Sequence, residues 1–383
     1  MRISRHSLIF GLSYALDIVG NNNLSHSKST AYLAVTIGGE MGLDKPATLS
    51  LYYAALLHDI GLGLTYDMRA HCADGEAMLK KLPLPGDIAG FVRWHHEYAD
   101  GSGVFGLREA DIPKGAQIIC LASAFDDLFG KYEDGFSHEL YTEVKNWAYE
   151  QRARFAEDIM AAFDALTERE YFLLDYFNHE TKYALSDKLM VGDDARYGNG
   201  DVEKYAHCFA ELIDRRSPFT FTHSHGIANL AAKASEYLGY GGEKTRTMYI
   251  SGLLHDIGKL YVPVEILHKN GKLTREERFI INKHTYFTRK ILEQVKGFEE
   301  ITEYASNHHE RLDGTGYPYH LPGERLSEPE RVMAVCDVYQ ALTEERPYRG
   351  KLPPEKVWGI IDKMAAEGHL DSALTQRLKE VFG

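Results

Sequence analysis

Histidine is where this sequence carries its chemistry. Eighteen are present among 383 residues, against roughly eight at an ordinary frequency of about 2%, and an excess of imidazoles points to metal ligation or acid/base work. One set lies in the second half: His223, His255, His284, His308 and His309, joined by Asp256 and Asp337. Five imidazoles and two carboxylates suit iron, manganese or zinc better than calcium, which prefers oxygen. The adjacent His255 and Asp256 cannot grip one ion as histidines four apart do, but the carboxylate can stand between two ions. Seven side chains also exceed one tetrahedral shell, so a two-metal site is the economical reading. Two ions about 3.5 to 4 Å apart acidify a bridging water and clamp a phosphoryl oxygen, the chemistry of phosphate-ester hydrolysis. Lys259, four residues after His255, adds positive charge for a phosphate, and Arg346 and Arg349 in the run RPYR offer another grip.

The spacing of these histidines occurs twice. LLHDIGLG, which carries His58 and Asp59, lies 197 residues before LLHDIGKL, which carries His255 and Asp256. His26 precedes His58 by 32 residues, as His223 precedes His255; His71 precedes the pair His95-His96 by 24, as His284 precedes His308-His309. EYADGSGVF and ERLDGTGYP follow the two pairs and match at Glu, Asp, Gly and Gly. The large length difference falls between the second and third histidines, where the first copy is 16 residues shorter. Coincident spacings of this kind mark a duplicated domain.

The elements that must position these residues read as helices. Ser217-Pro218 offers an N-cap with proline at the first helical position, and Ile227, Leu230, Ala231, Ala234 and Leu238 line one face until Gly239. Tyr249, Leu253, Leu254 and Ile257 form another apolar stripe, and RVMAVCDVYQAL is an apolar helix with Asp337 at its middle, where an unpaired carboxylate is expensive. Alternating β-branched runs are few, so the expected fold is all-α: two tandem helical domains joined by a helical linker. The expected divisions are 1–133, a linker over 134–200 with a Gly/Asp-rich loop near 191–201, and 201–383.

Composition narrows the partners. Forty-three Lys and Arg against 56 Asp and Glu leave a net charge of −13, which opposes binding to a nucleic-acid polymer but allows a small anion in a locally positive pocket. The four cysteines are scattered without pairing, arguing for a reducing compartment. No apolar run reaches the roughly 20 residues of a membrane span. These features give the expectation of a cytoplasmic protein without membrane partners.

The order HS, LLHDIGK, KH, HHE-x-x-DGTGYP and CDVYQALTEERPYR closely resembles the HD-GYP family, a branch of the HD-domain metal-dependent phosphohydrolases, over about residues 205–351. The resemblance implies an all-helical fold, a di- or trinuclear iron or manganese centre, and hydrolysis of cyclic di-GMP to pGpG and onward to GMP in some members. It implies that His223, His255, Asp256 and Asp337 serve one metal and that Asp256 bridges to a second held by His284, His308 and His309. Members with three metals carry a glutamate four residues before the first histidine; Phe219 stands there in this chain, so two divalent ions are expected. The loop with Asp313, Gly316 and Tyr317 is expected to shape the pocket mouth, with Lys259, Arg346 and Arg349 as substrate contacts, and to offer a surface to diguanylate cyclase domains. A homodimer is a further expectation.

The first copy keeps His26, His58, Asp59, His71, His95 and His96, a candidate second metal site. It departs elsewhere: Leu62 replaces Lys259, Gly103-Val104-Phe105 replaces GYP, and Ser123 stands opposite Asp337 with Asp126 three residues on. This copy is expected to be a degenerate, catalytically silent HD domain with a structural or regulatory role. The alternatives to a cyclic di-GMP phosphodiesterase are an enzyme acting on 3′,3′-cyclic GMP-AMP and a non-catalytic scaffold that senses nucleotide or metal.

Overall fold

The computed structural model describes all residues except 20–24, 63–66, 133–136, 179, 183–194, 217–220 and 345–349, together with the backbone alone of 221 and 222. The proposed N-cap Ser217-Pro218, Phe219, and both Arg346 and Arg349 lie outside the described residues. The fold is all-α: the only strands among the described residues are two-residue segments at Ile3–Ser4 and Arg196–Tyr197. The chain divides into two compact units, residues 4–196 and residues 197–383 with 1–3.

In the first unit the helix His26–Glu40 packs against Lys45–Leu56 and Lys114–Phe129. The helices His138–Gln151, Glu157–Thr167 and Glu170–Phe177, read from sequence as a linker, contribute to this unit's core. Fully buried Phe125 meets Trp147, Phe163 and Tyr176 edge-on at centroid distances of 5.6, 5.5 and 5.1 Å. Burying such a ring stabilises by about 1.5–3 kcal/mol, enough to hold these helices in place. Their aromatic spacing is therefore a core pattern.

In the second unit the helix Phe221–Tyr237 lies on Gly242–Leu254. Gly252 makes the approach possible, because a Cβ there would stand 2.6 Å from the Ala228 Cα. Gly239, at φ +81°, ends the first of these helices as its sequence position suggests. The second ends at Leu254, earlier than its apolar stripe implies; His255 and Asp256 form the junction to a short 3₁₀ helix, Ile257–Tyr261. That break frees two consecutive side chains from a single helical face. Capping boxes at Thr274/Glu277 and Ser327/Glu330 start the helices Arg275–Leu292 and Glu328–Thr343, which bear His284 and Asp337. The latter is anchored by buried Val332, Met333, Val335 and Cys336 among Val357, Trp358 and Leu378.

Candidate metal centre

Five backbone segments of the second unit converge on Asp256, whose side chain is 2% exposed. Its two oxygens face different groups. Oδ2 lies 3.2 Å from His255 Nε2 and 3.8 Å from His223 Nε2, whereas Oδ1 lies 3.3 Å from His284 Nε2 and 4.0 Å from His308 Nε2. Asp337 joins from its apolar helix, with Oδ1 3.6 Å from His223 Nε2 and Oδ2 3.6 Å from His309 Nδ1. The ligand atoms of His223, His255 and Asp256 lie within 4.8 Å of one another, and so do those of His284, His308 and His309. Asp256 thus stands between two imidazole groups, the arrangement that a bridging carboxylate requires.

Hydrogen positions test whether this donor set fits metal. His255, His284 and His308 each set Nδ1 against the backbone carbonyl three residues earlier, at 2.7, 2.6 and 2.6 Å. A carbonyl only accepts, so each Nδ1 carries a hydrogen and each ring turns its Nε2 inward. His223 is fixed likewise by Glu344, whose Oε2 accepts from Nδ1 at 2.9 Å. The lone pairs of His284 and His308 consequently face each other at 3.4 Å. His255 Nε2 and Asp256 Oδ1 are buried without a hydrogen-bond partner. Such an arrangement is satisfied by cations, and the donor set fits divalent transition metal.

The charge pattern follows from burial and neighbours. Burial pushes the His284, His308 and His309 imidazoles down to about 3, keeping them neutral as ligands must be. Burial opposes ionisation of Asp256, but His255 and Lys259 hold its carboxyl well below the usual range; His223 and His309 do the same for Asp337. At His223, burial is outweighed by the carboxylates of Asp337 and Glu344, which raise the ring to about 9, so at neutral pH its inward nitrogen holds a proton that a binding ion would displace.

The other expected site residues divide by location. Lys259 Nζ donates to Asp256 Oδ2. The Tyr317 ring lies 4.9 Å from that of His309, and burial raises its hydroxyl above the usual phenol range, so it remains protonated. Gly316 is required by crowding: a Cβ would stand 2.4 Å from the Glu310 Cα. Asp313 braces its own loop, accepting from the Thr315 amide at 3.0 Å and lying 3.6 Å from His369 Nε2. Two participants were missed by sequence reasoning. Glu344, which orients His223, stands two helical turns after Asp337, a spacing that could have revealed it. Glu310 fastens the loop by accepting from the amides of Tyr319 and Leu321 at 2.7 and 3.0 Å; its presence in both repeats was the available signal.

The first unit reproduces much of this frame. Asp59 lies 3.6 Å from both His58 Nε2 and His71 Nε2, and it groups with His95 and His96 on one side and with His26 and His58 on the other. Asp126, three residues beyond Ser123, sets Oδ2 2.7 Å from His26 Nδ1 and accepts from the Tyr176 hydroxyl at 2.5 Å. It takes the orienting position that Glu344 holds in the second unit, not that of Asp337.

The HD-domain family model matches residues 23–128, and a second HD-domain model matches residues 207–374. A 3′3′-cGAMP-specific phosphodiesterase of Vibrio cholerae is 30% identical over 97% of this chain and 90% of its own length. A cyclic di-GMP phosphodiesterase of Pseudomonas aeruginosa is 36% identical over 43% of this chain and 40% of its own. A crystal structure of a cyclic GMP-AMP specific phosphodiesterase of V. cholerae, 20% identical, shares the fold with a TM-score of 0.74 over 100% of this chain and 98% of that one. With two HD domains and a relative matched along nearly its whole length, the chain belongs to the HD-GYP family of HD-domain phosphodiesterases.

Proposed function

We propose that the second unit hydrolyses a phosphodiester of a 3′,3′-cyclic dinucleotide and that 3′,3′-cyclic GMP-AMP is the preferred substrate. The observation that carries the chemistry is Asp256, with one oxygen toward His223 and His255 and the other toward His284 and His308. His223, His255, Asp256 and Asp337 would hold one divalent ion, and Asp256, His284, His308 and His309 a second, with iron or manganese the expected metals. When bound, the ions acidify water and draw charge from phosphorus.

The chain's own groups do the rest. Backbone carbonyls and Glu344 fix the ring orientations, so the ligand geometry is set before substrate arrives. Lys259, 24% exposed at its side chain, offers an ammonium to a phosphate oxygen at the edge of the cluster. The protonated Tyr317 hydroxyl can donate a hydrogen bond to the same anion.

Substrate preference rests on the relative acting on 3′3′-cGAMP, which matches both units, whereas the cyclic di-GMP relative matches less than half of the chain. Cyclic di-GMP is the second reading, favoured by the 36% identity of that shorter match. Parallel hydrolysis assays, with manganese or with iron supplied anaerobically, decide. A kcat/KM at least about tenfold higher for cyclic GMP-AMP, a difference of about 1.4 kcal/mol in transition-state binding, is expected. The reverse preference transfers the assignment to cyclic di-GMP. Turnover of neither removes the hydrolytic reading and leaves a sensing scaffold.

A further inference from the structure

Two positions one helical turn apart orient the first histidine of each cluster, and the two units fill them in opposite ways. In the first unit Asp126 sets Oδ2 2.7 Å from His26 Nδ1. Gly130 follows one turn later, where a Cβ would stand 2.7 Å from Asp126 Oδ1. In the second unit the corresponding positions, three and seven residues beyond Asp337, hold Gln340 and Glu344. Gln340 Nε2 donates to Glu344 Oε1 at 2.7 Å, and the other oxygen of that carboxylate accepts from His223 Nδ1 at 2.9 Å. The carboxylate stands one turn further along, and an amide fills the position of Asp126.

Local preference does not explain this arrangement. Glu344 lies at the C-terminal end of the helix Glu328–Thr343 with extended backbone, where the helix dipole disfavours an anion, and its long side chain loses freedom when held. Gln340 fixes one oxygen so that the other meets the imidazole. The amide in turn needs space from the facing helix Phe221–Tyr237. A Cβ on Gly226 would stand 2.1 Å from Gln340 Nε2 and 2.5 Å from its Cδ. Glycine is a poor helix former, so crowding accounts for its presence. The first unit has Ser29 at the matching place, three residues after its histidine, opposite the shorter Asp126. Gly226, Gln340 and Glu344 thus form a set whose counterpart is Ser29, Asp126 and Gly130.

We propose that Gln340 is a positioning residue of the second unit's metal centre, holding the Glu344 carboxylate on His223 in space that Gly226 leaves open. The inference rests on the reading of that cluster as a metal site. The test measures manganese retained by the full chain after equilibrium dialysis, the ions lost in Asp256→Ala/His284→Ala being those of the second unit. Gln340→Ala should weaken their binding by about threefold or more, and Glu344→Ala by about 10- to 100-fold. Gln340→Asp added to Glu344→Ala recreates the first unit's arrangement and should recover most of that loss, which a merely structural role would not do. Gly226→Ala displaces the amide and should weaken binding by about threefold or more without lowering the thermal midpoint, because alanine favours the helix. Unchanged affinity in both Gln340→Ala and Gly226→Ala, or no recovery by Gln340→Asp, overturns the proposal. Equal manganese in the wild type and Asp256→Ala/His284→Ala instead removes the metal reading, and the proposal with it.

Discussion

Residues matched by the duplication do the same mechanical work in the two units. A Cβ on Gly258 would stand 1.8 Å from the His284 carbonyl oxygen, and one on Gly61 would stand 2.0 Å from that of His71. Glu310 ties down the loop after one histidine pair, and Glu97 accepts from the Phe105 and Leu107 amides after the other. The differences sit in the groups that a substrate or second ion would meet: Lys259, Tyr317 and Asp337 against Leu62, Val104 and Ser123. Duplication preserved what folding needs at the cluster and lost what charges it for phosphate chemistry. Scaffold and function are therefore separable, and four experiments probe where they part.

The largest effect should come from the bridging carboxylates. Asp256→Asn removes the anion between the two imidazole groups; if an ion's contribution of several kcal/mol is lost, hydrolysis falls on the order of 10³-fold or more. Asp59→Asn should leave the rate within about twofold. Steady-state hydrolysis with saturating manganese measures both, and comparable losses would break the division of labour between the units.

Gly258→Ala and Gly61→Ala examine the shared scaffold. At each, the obstacle is backbone of the helix that carries the third histidine, and backbone cannot rotate away. Each substitution should destabilise its own unit by about 3 kcal/mol, read as a lower thermal midpoint or faster hydrogen exchange in that unit. A tolerant Gly61 would mean that the first copy has relaxed around its cluster.

Much of this was legible because metal ligands must recur at fixed intervals along helices, so the paired spacings exposed the duplication and the donors together. The helical class followed from apolar stripes such as Ile227, Leu230, Ala231 and Ala234. What stayed hidden depended on tertiary contacts. The helices after residue 137 looked like a linker until Trp147 and Phe163 were found against Phe125. Asp126 aligned with Gln340, yet Gln340 donates to Glu344 at 2.7 Å while Asp126 meets the histidine directly. A shorter side chain one register earlier performs the same orienting task, and no alignment of residue types displays that exchange.

That exchange sets up a smaller contrast. Glu344→Gln preserves an acceptor for His223 Nδ1 but removes the charge that supports the ring. Manganese affinity of the second unit should fall by about 10- to 100-fold, seen as a higher metal concentration for half-maximal hydrolysis with kcat recovered at saturation. Asp126→Asn should leave that curve where it is. A shift with Asp126→Asn would couple the two centres.

The smallest effect concerns pH and the frame beneath the first cluster. Asp17, 3% exposed, accepts from the Ser27 amide at 2.9 Å, while its Oδ2 has no hydrogen-bond partner. Burial pushes its carboxyl up to about 6, although bonds from Ser27 pull the other way. The folded unit consequently holds a proton between the ordinary value of 3.8 and about 6 that the unfolded chain has released. By linkage, this group favours folding most below the ordinary value, and the advantage is lost as pH rises through about 6. A shift of about two units corresponds to roughly 3 kcal/mol at most. Asp17→Asn retains an oxygen for the Ser27 amide and cannot ionise, so it should flatten the pH dependence and stabilise the first unit by about 1–2 kcal/mol at pH 8. Asp214 stands ten residues before Ser224, as Asp17 does before Ser27, which extends the duplication upstream of the histidines and supplies the matching variant. Thermal melts at pH 5 and pH 8 compare the pair, and an unchanged pH slope in Asp17→Asn would assign the dependence to the histidine cluster.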